Sequence, residues 1–316
     1  DLDSDDAYLE VIRPLGDLFY FAAKSYTDMR FGMLDRNALN QVDLTDGAQF
    51  YEHRMQKITD YLNLDFSYGN YKEVEKLYWI EKAQETNIPF RWGGKTVMDA
   101  VRNTIAVGFY LWFVVVICTS CVFSAEYESG AASLLLTTKF GKNRLIWSKI
   151  AASLLFTVGY LSVGILAAVG VIGLFLGFCG ADLPVQLWNS VIPFHLTIGQ
   201  ACIGYFAAVI LMGVTIALVL LCCSARLRSS LATLVIGIAI IIGPVFLPMS
   251  SKSGVWNHIN YLFPIRALDL KDMLGAFVSY TVGDFVIPYY GMVAVVYAMI
   301  GAAAFLMTSR GFVKGK

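Results

Sequence analysis

Residues 201–223 read ACIGYFAAVILMGVTIALVLLCC, without one charged side chain. A helix needs ~20 apolar residues to cross the hydrocarbon core of a bilayer, so this run predicts a transmembrane span. Four further stretches share the property: Thr104–Ser124, Ile150–Cys179, Leu231–Met249 and Phe285–Met307. Together they predict an all-α fold, a polytopic helical membrane protein with five spans. Outside residues 101–316 the composition changes. Residues 1–100 carry 18 acidic and 11 basic side chains, and the rest of the chain only 6 and 13. The formal net charge of zero is therefore a cancellation between two unlike parts. It offers no footprint for nucleic acid, and none is expected as a partner.

Orientation follows from Lys and Arg in the connections. Lys139, Lys142, Arg144 and Lys149 lie in the segment 125–149; Arg226 and Arg228 occupy the turn at 224–230; Arg310, Lys314 and Lys316 are in the tail. The connection 180–200 has neither residue type, and in 250–284 three basic residues are offset by three Asp. The basic segments are expected in the cytoplasm. Residues 1–100 then form an external domain and the C-terminus lies inside. With no signal-like segment at the start, this topology implies one more helix before Asp1, six in the full protein; a cleaved signal peptide is the alternative. A plasma membrane, bacterial by the lack of sequons and disulfide-ready cysteines, is the expected location.

The external domain reads as mostly helical. Thr45 or Asp46 can cap a helix carrying Phe50, Tyr51, Met55, Ile58, Tyr61 and Leu62 at helical spacing, and Val74, Leu77, Tyr78 and Ile80 mark a second. Sixteen aromatic residues fall in the first hundred. They fit either a small core sealed by large side chains or a binding face for an aromatic or amphipathic ligand. Gly173-x-x-x-Gly177 in the second span permits close helix approach. Between Trp256 and Ser279, apolar residues at helical spacing predict a short helix at the outer leaflet.

Several motifs carry less than they first offer. Arg91-Trp-Gly-Gly-Lys-Thr96 ends like a phosphate-binding loop, but Pro89 stands where its first Gly is needed, so no nucleotide site is assigned. Cys118-x-x-Cys121 and Cys222-Cys223 lie inside spans, where Cys is a common small packing residue, and no metal ligand set is assigned. His53, His195 and His258 are scattered. The spans hold no carboxylate of the kind that serves ion-coupled carriers. A chain built to move something, without its own energy source, points to a partner.

The segment Ala125–Lys149 reads AEYESGAASLLLTTKFGKNRLIWSK. It resembles the first cytoplasmic segment of type-2 ATP-binding cassette (ABC) exporter permeases: E-x-E-x-G, a Leu-rich run, Thr, a small residue, a basic residue and a closing Lys. The matching positions are Glu126, Glu128, Gly130, Leu134–Leu136, Thr137, Thr138, Gly141, Arg144 and Lys149. Ala131 and Lys139 depart from the pattern. Asn260-Tyr-Leu-Phe-Pro264 is similar to the region before the family's last helix. The resemblance spans residues 101–316 and implies a non-catalytic permease. Two cytoplasmic ATPase subunits would bring the ATP and magnesium, and a second permease subunit, identical or not, would complete a dimer within membrane lipid. The segment 125–149 would be the coupling helix. Glu126 and Glu128 would make charged contacts to the ATPase or the basic turn, and Gly130 would allow a sharp bend. Under that reading Thr157, Tyr160, Ser162, Tyr205, Thr215 and Tyr297 line a path for an amphipathic substrate such as a peptide, drug or lipid-like molecule. The alternative is a receptor or immunity protein sensing an extracellular peptide.

Overall fold

The computed structural model describes residues 16, 18, 21–26, 46–67, 69–86, 88–138 and 144–313. Two amphipathic helices come first. In α1 (Gly47–Leu62), Asp46 caps the N-terminus by accepting from Ala48 N and Gln49 N at 3.0 and 3.3 Å, and Arg54, Ile58 and Leu62 form the buried stripe. α2 (Glu73–Gln84) buries Glu75, Trp79 and Ala83. Of the two capping residues expected, Asp46 acts and Thr45 lies outside the described residues.

Long apolar helices follow. They are α3 (Thr96–Ser120), α6 (Arg144–Leu176), α7 (Ile198–Leu227) and α12 (Tyr289–Val313), with short α4 (Ser124–Glu128) and α5 (Ala131–Thr137) between the first two. Among the described residues, four helices are long and apolar enough to cross a membrane. α7 is central: it packs on α3, α6, α12 and on α8 (Ser230–Ile242), and 56% of its most apolar window is enclosed against 11% for α6. Glycines let the helices close up. A Cβ on Gly213 of α7 would sit 2.4 Å from Leu161 Cδ1 and 3.0 Å from Trp112 Nε1.

The stretch Leu231–Met249 folds differently from the expected span. α8 is 13 residues long, about 20 Å, and passes at Gly243-Pro244 into a 3-10 turn that ends at Phe246. Proline has no N–H to continue the ladder and crowds the preceding turn. At the last span the helix starts at Tyr289, not Phe285. Residues Ser279–Val282 (β1) and Phe285–Pro288 (β2) form an antiparallel hairpin around Gly283, whose φ is +63°. That hairpin amends the all-α expectation. Its signal was present in SYTV-GD-FVIP, β-formers around a Gly-Asp turn. The expected short helix at 256–279 is three: α9 (Gly254–Tyr261), α10 (Pro264–Ala267) and α11 (Leu270–Gly275). Gly173-x-x-x-Gly177 is no helix–helix contact point. Gly177, at φ +72°, ends α6, and the space above Gly173 is taken by the Phe178 ring folding back.

The first helices do not form a core of their own. Ile58, Leu62, Trp79 and Ala83 close a cluster with Val191 and Phe277, residues from two later connections. Arg54, 2% exposed, donates to the carbonyls of Ser190 (2.6 Å), Ile192 (3.2 Å) and Ala83 (3.4 Å) and lies over the Phe90 ring. Burial lowers its pKa to about 10, which leaves it cationic at neutral pH. Glu75 Oε1 accepts from Ser279 Oγ at 2.8 Å, and that hydroxyl accepts from Trp79 Nε1 at 3.3 Å. Residues 46–95, 180–197 and 250–288 thus share one end of the bundle, here called the head. The boundary drawn at residue 100 falls inside α3.

Candidate functional site

At the end away from the head, α3, α6, α7 and α8 meet in a small polar junction. Ser224 of α7 organises it. Its hydroxyl accepts from Phe123 N (3.1 Å) and Ser124 N (2.9 Å) and donates to Ser120 O (2.9 Å), joining the end of α3 to the end of α7. Ser124 Oγ lies 2.8 Å from Ser230 Oγ, which brings in the start of α8. Ser120, Ser124 and Ser224 are buried, and each hydroxyl is used, as a low-dielectric site requires.

The two glutamates of the E-x-E motif complete this junction from α4, in different ways. Glu126 pairs with Lys149 of α6; the lysine also donates to Val122 O at 2.6 Å and lies 5.2 Å from the Phe123 ring centre. Glu128 accepts from Ser230 N (2.7 Å) and Ser230 Oγ (2.9 Å), placing a carboxylate at the N-terminus of α8, where the helix dipole favours an anion. One carboxylate thus ties the segment to α6 and the other to α8. Arg228 meets the motif through the ring of Tyr127, 5.1 Å away.

Gly130 follows with φ +74°, a conformation that costs a residue with Cβ, and turns the chain into α5. α5 carries Leu134, 73% exposed, while the Thr137 and Thr138 hydroxyls bond back to Leu134 O and Leu135 O. Arg144 opens α6 on the surface. Of the motif positions, Gly141 lies outside the described residues, as do Lys139 and Lys142.

Several of the six polar residues placed along a substrate path engage groups near them in the bundle. Thr157 Oγ1 bonds to Ser153 O; Thr215 Oγ1 bonds to Leu211 O and Tyr297 O; Tyr160 stacks on Phe156; Ser162 is half-buried on α6. Tyr205 and Tyr297 take part in another arrangement. Five tyrosine hydroxyls donate to carbonyls of 258–268: Tyr280 to His258 (2.7 Å), Tyr289 to Tyr261 (2.8 Å), Tyr297 to Leu262 (3.0 Å), Tyr290 to Ala267 (3.2 Å), and Tyr205 to Leu268. Burial raises the Tyr280 phenol, so it stays a neutral donor at physiological pH. The short helices α9 and α10 are thereby fastened to α7, α12 and the hairpin.

Two cavities near the head have largely apolar walls. One of about 420 Å³ sits between α7 and α12, lined by Trp79, Gly204, Tyr205, Leu211, Tyr290 and Ala294 among others, with Tyr205 the only one of the six path residues in its wall. The second, about 190 Å³, is walled by Phe21, Tyr26, Phe50, Tyr51, Phe90 and Trp92, with Asp46 at its edge.

No family model, curated protein or solved structure matches this chain.

The remaining sequence features stay apart. His53 faces Tyr26, while His258 reaches Gly254 O and Ser279 O, so no histidine cluster forms from them. Among the described residues no group of three or more His, Cys, Asp or Glu could hold a metal. In the loop-like Arg91–Thr96 stretch, Arg91 pairs with Asp182 at 3.0 Å and Lys95 donates to Leu187 O, both of them head contacts. Sequence reasoning missed Arg54 and the serines. Ser229-Ser230 ahead of an apolar run was a readable capping signal, and Ser229 Oγ does accept from Ala232 N. Nothing local marks Ser224 or Arg54: the partners of Ser224 lie about a hundred residues away in sequence, and those of Arg54 from 29 to 138.

Proposed function

We propose that this chain is the membrane-spanning permease subunit of an ATP-driven exporter of the type-2 ABC class, working as a dimer with separate ATPase subunits. The observation that carries the reading is how α5 is mounted. A short helix with Leu134, Thr137 and Thr138 at the surface is anchored at its base to two other helices by charged contacts. A partner pressing on α5 would move α4, and through Glu126 and Glu128 the ends of α6 and α8. The glutamates therefore act as internal struts; the face offered to the ATPase is α5. Basic residues in this end of the bundle support a cytoplasmic location for it, with the head outside. ATP and magnesium would belong to the partner, and the cargo would be amphipathic.

The test is co-purification of the full chain with its ATPase and measurement of ATP turnover. Leu134→Asp should abolish assembly without lowering the melting temperature. Glu126→Ala with Glu128→Ala should leave a complex whose turnover is uncoupled from transport. Wild-type assembly and wild-type coupling in both variants would sink the proposal.

The aromatic cavity beside Asp46 favours a second reading, a receptor for an extracellular peptide. It is checked with the full chain, because α1 and α2 lean on later connections. Peptide binding that is lost in Trp92→Ala, with signalling intact beside a dead ATPase, would support it over transport.

A further inference from the structure

The cavity between α7 and α12 has an almost wholly apolar wall. Three observations constrain what fills it. The first is its wall. Its tyrosines turn their hydroxyls away to carbonyls of Tyr261, Ala267 and Leu268, and Trp79 Nε1 is spent on Ser279. The inner surface is carbon, so a polar occupant would leave its groups unpaired.

The second is its shape. Gln200, Gly204, Ala207 and Leu211 descend one face of α7 over three turns, about 16 Å, opposite Tyr290 and Ala294 of α12. The space is a slot along the helix axes. Its volume of about 420 Å³ lies within the ~300–1,000 Å³ of ligand pockets.

The third is its mouth. Gln200, Gly204, Ala207 and Ala294 are exposed, and they lie on two helices with the length and composition of membrane spans. The opening therefore faces hydrocarbon, with the Gln200 amide in the first turn of α7 at its polar end.

We propose that this slot binds one acyl chain of a bilayer lipid, inserted sideways between α7 and α12 with its ester end near Gln200. The chain runs down the slot toward Leu211, and the wall includes Trp79 of the head, whose ring also packs on Phe194 and Phe277. The lipid is thus a structural ligand that joins the head to the bundle. This rests on the bilayer reading of the long helices and needs no ATPase.

The experiment reconstitutes the full chain in vesicles of phosphatidylcholine carrying a diazirine on one acyl chain, with the same diazirine on a free fatty acid as a second arm. After irradiation, label is mapped by mass spectrometry. The expected result is enrichment on 200–211 and 290–294 over the exposed α6 face at Leu155 and Val163. Gly204→Leu should cut the enrichment by about tenfold, because a Cβ there meets no atom within 4 Å and the side chain grows into the slot. Ala294→Leu fills it from the other wall, should either variant misfold. Label equal on α6 and the slot, or unchanged by both fillings, overturns the site. Label from the fatty acid alone overturns the bilayer lipid as its source. No label on α6 overturns the membrane reading itself, and the site with it.

Discussion

Removing the charge from Lys149 should show how firmly the E-x-E segment is held. Its side chain is 20% exposed and that of Glu126 17%, so the pair lies between two known limits. Exposed ion pairs contribute ~0–1 kcal/mol, and stripping one partner from a fully buried pair costs ~3–5 kcal/mol. Lys149→Met also loses the bond to Val122 O and the contact with Phe123. It strands Glu126, whose Oε2 already has no donor among the described residues. The expected cost is ~2–3 kcal/mol. Glu126→Gln keeps an acceptor for the lysine and should cost ~1 kcal/mol. In the double variant no charge is left to strand, so the loss should be ~2 kcal/mol, a coupling of ~1–2 kcal/mol. The assay is a double-mutant cycle by reversible unfolding in detergent micelles. Losses that add to within ~0.5 kcal/mol would refute the reasoning and make the pair a bystander.

Arg54→Lys should behave as a severe change despite keeping the charge. One ammonium cannot reproduce the planar fork that serves carbonyls on two segments, and ~2–3 kcal/mol should be lost, read as faster hydrogen exchange at residues 186–194. Unchanged exchange there would show that the head docks without it. Gly237→Ala would set a Cβ 2.5 Å from Val116 Cγ1 and about 3 Å from Leu220. It should cost ~1–3 kcal/mol by overpacking α8 on α3 and α7, against an intrinsic helix gain of ~1 kcal/mol. A variant more stable than the parent would mean that those side chains have room to yield.

The charged head helices and the apolar spans could be read directly because burial at every third or fourth residue leaves a periodic mark. Asp46 likewise announced its helix. Where a helix stops was harder. Pro244 was in plain view, yet composition alone ran a span straight through it, and hydrophobic Phe285–Pro288 looked the same whether strand or helix. The motif at 126–130 was legible as a motif, and Gly130 as a bend. What the glutamates hold was not, because Ser230 is about a hundred residues further on and its partnership exists only once α3, α7 and α8 have packed.

Sequence by itself determined that long segments of this chain are suited to hydrocarbon, that its charge is divided between two ends, and that one short segment between spans is chemically unlike its neighbours. Those are properties of local composition, set by the free energy of transferring each side chain from water. The tertiary structure alone decided that the head borrows its core from later connections, that Glu126 and Glu128 brace different helices, and that five tyrosines clasp one segment while leaving a carbon-lined slot. Each depends on groups distant in sequence meeting within a few ångströms, and no local pattern of residues encodes that meeting.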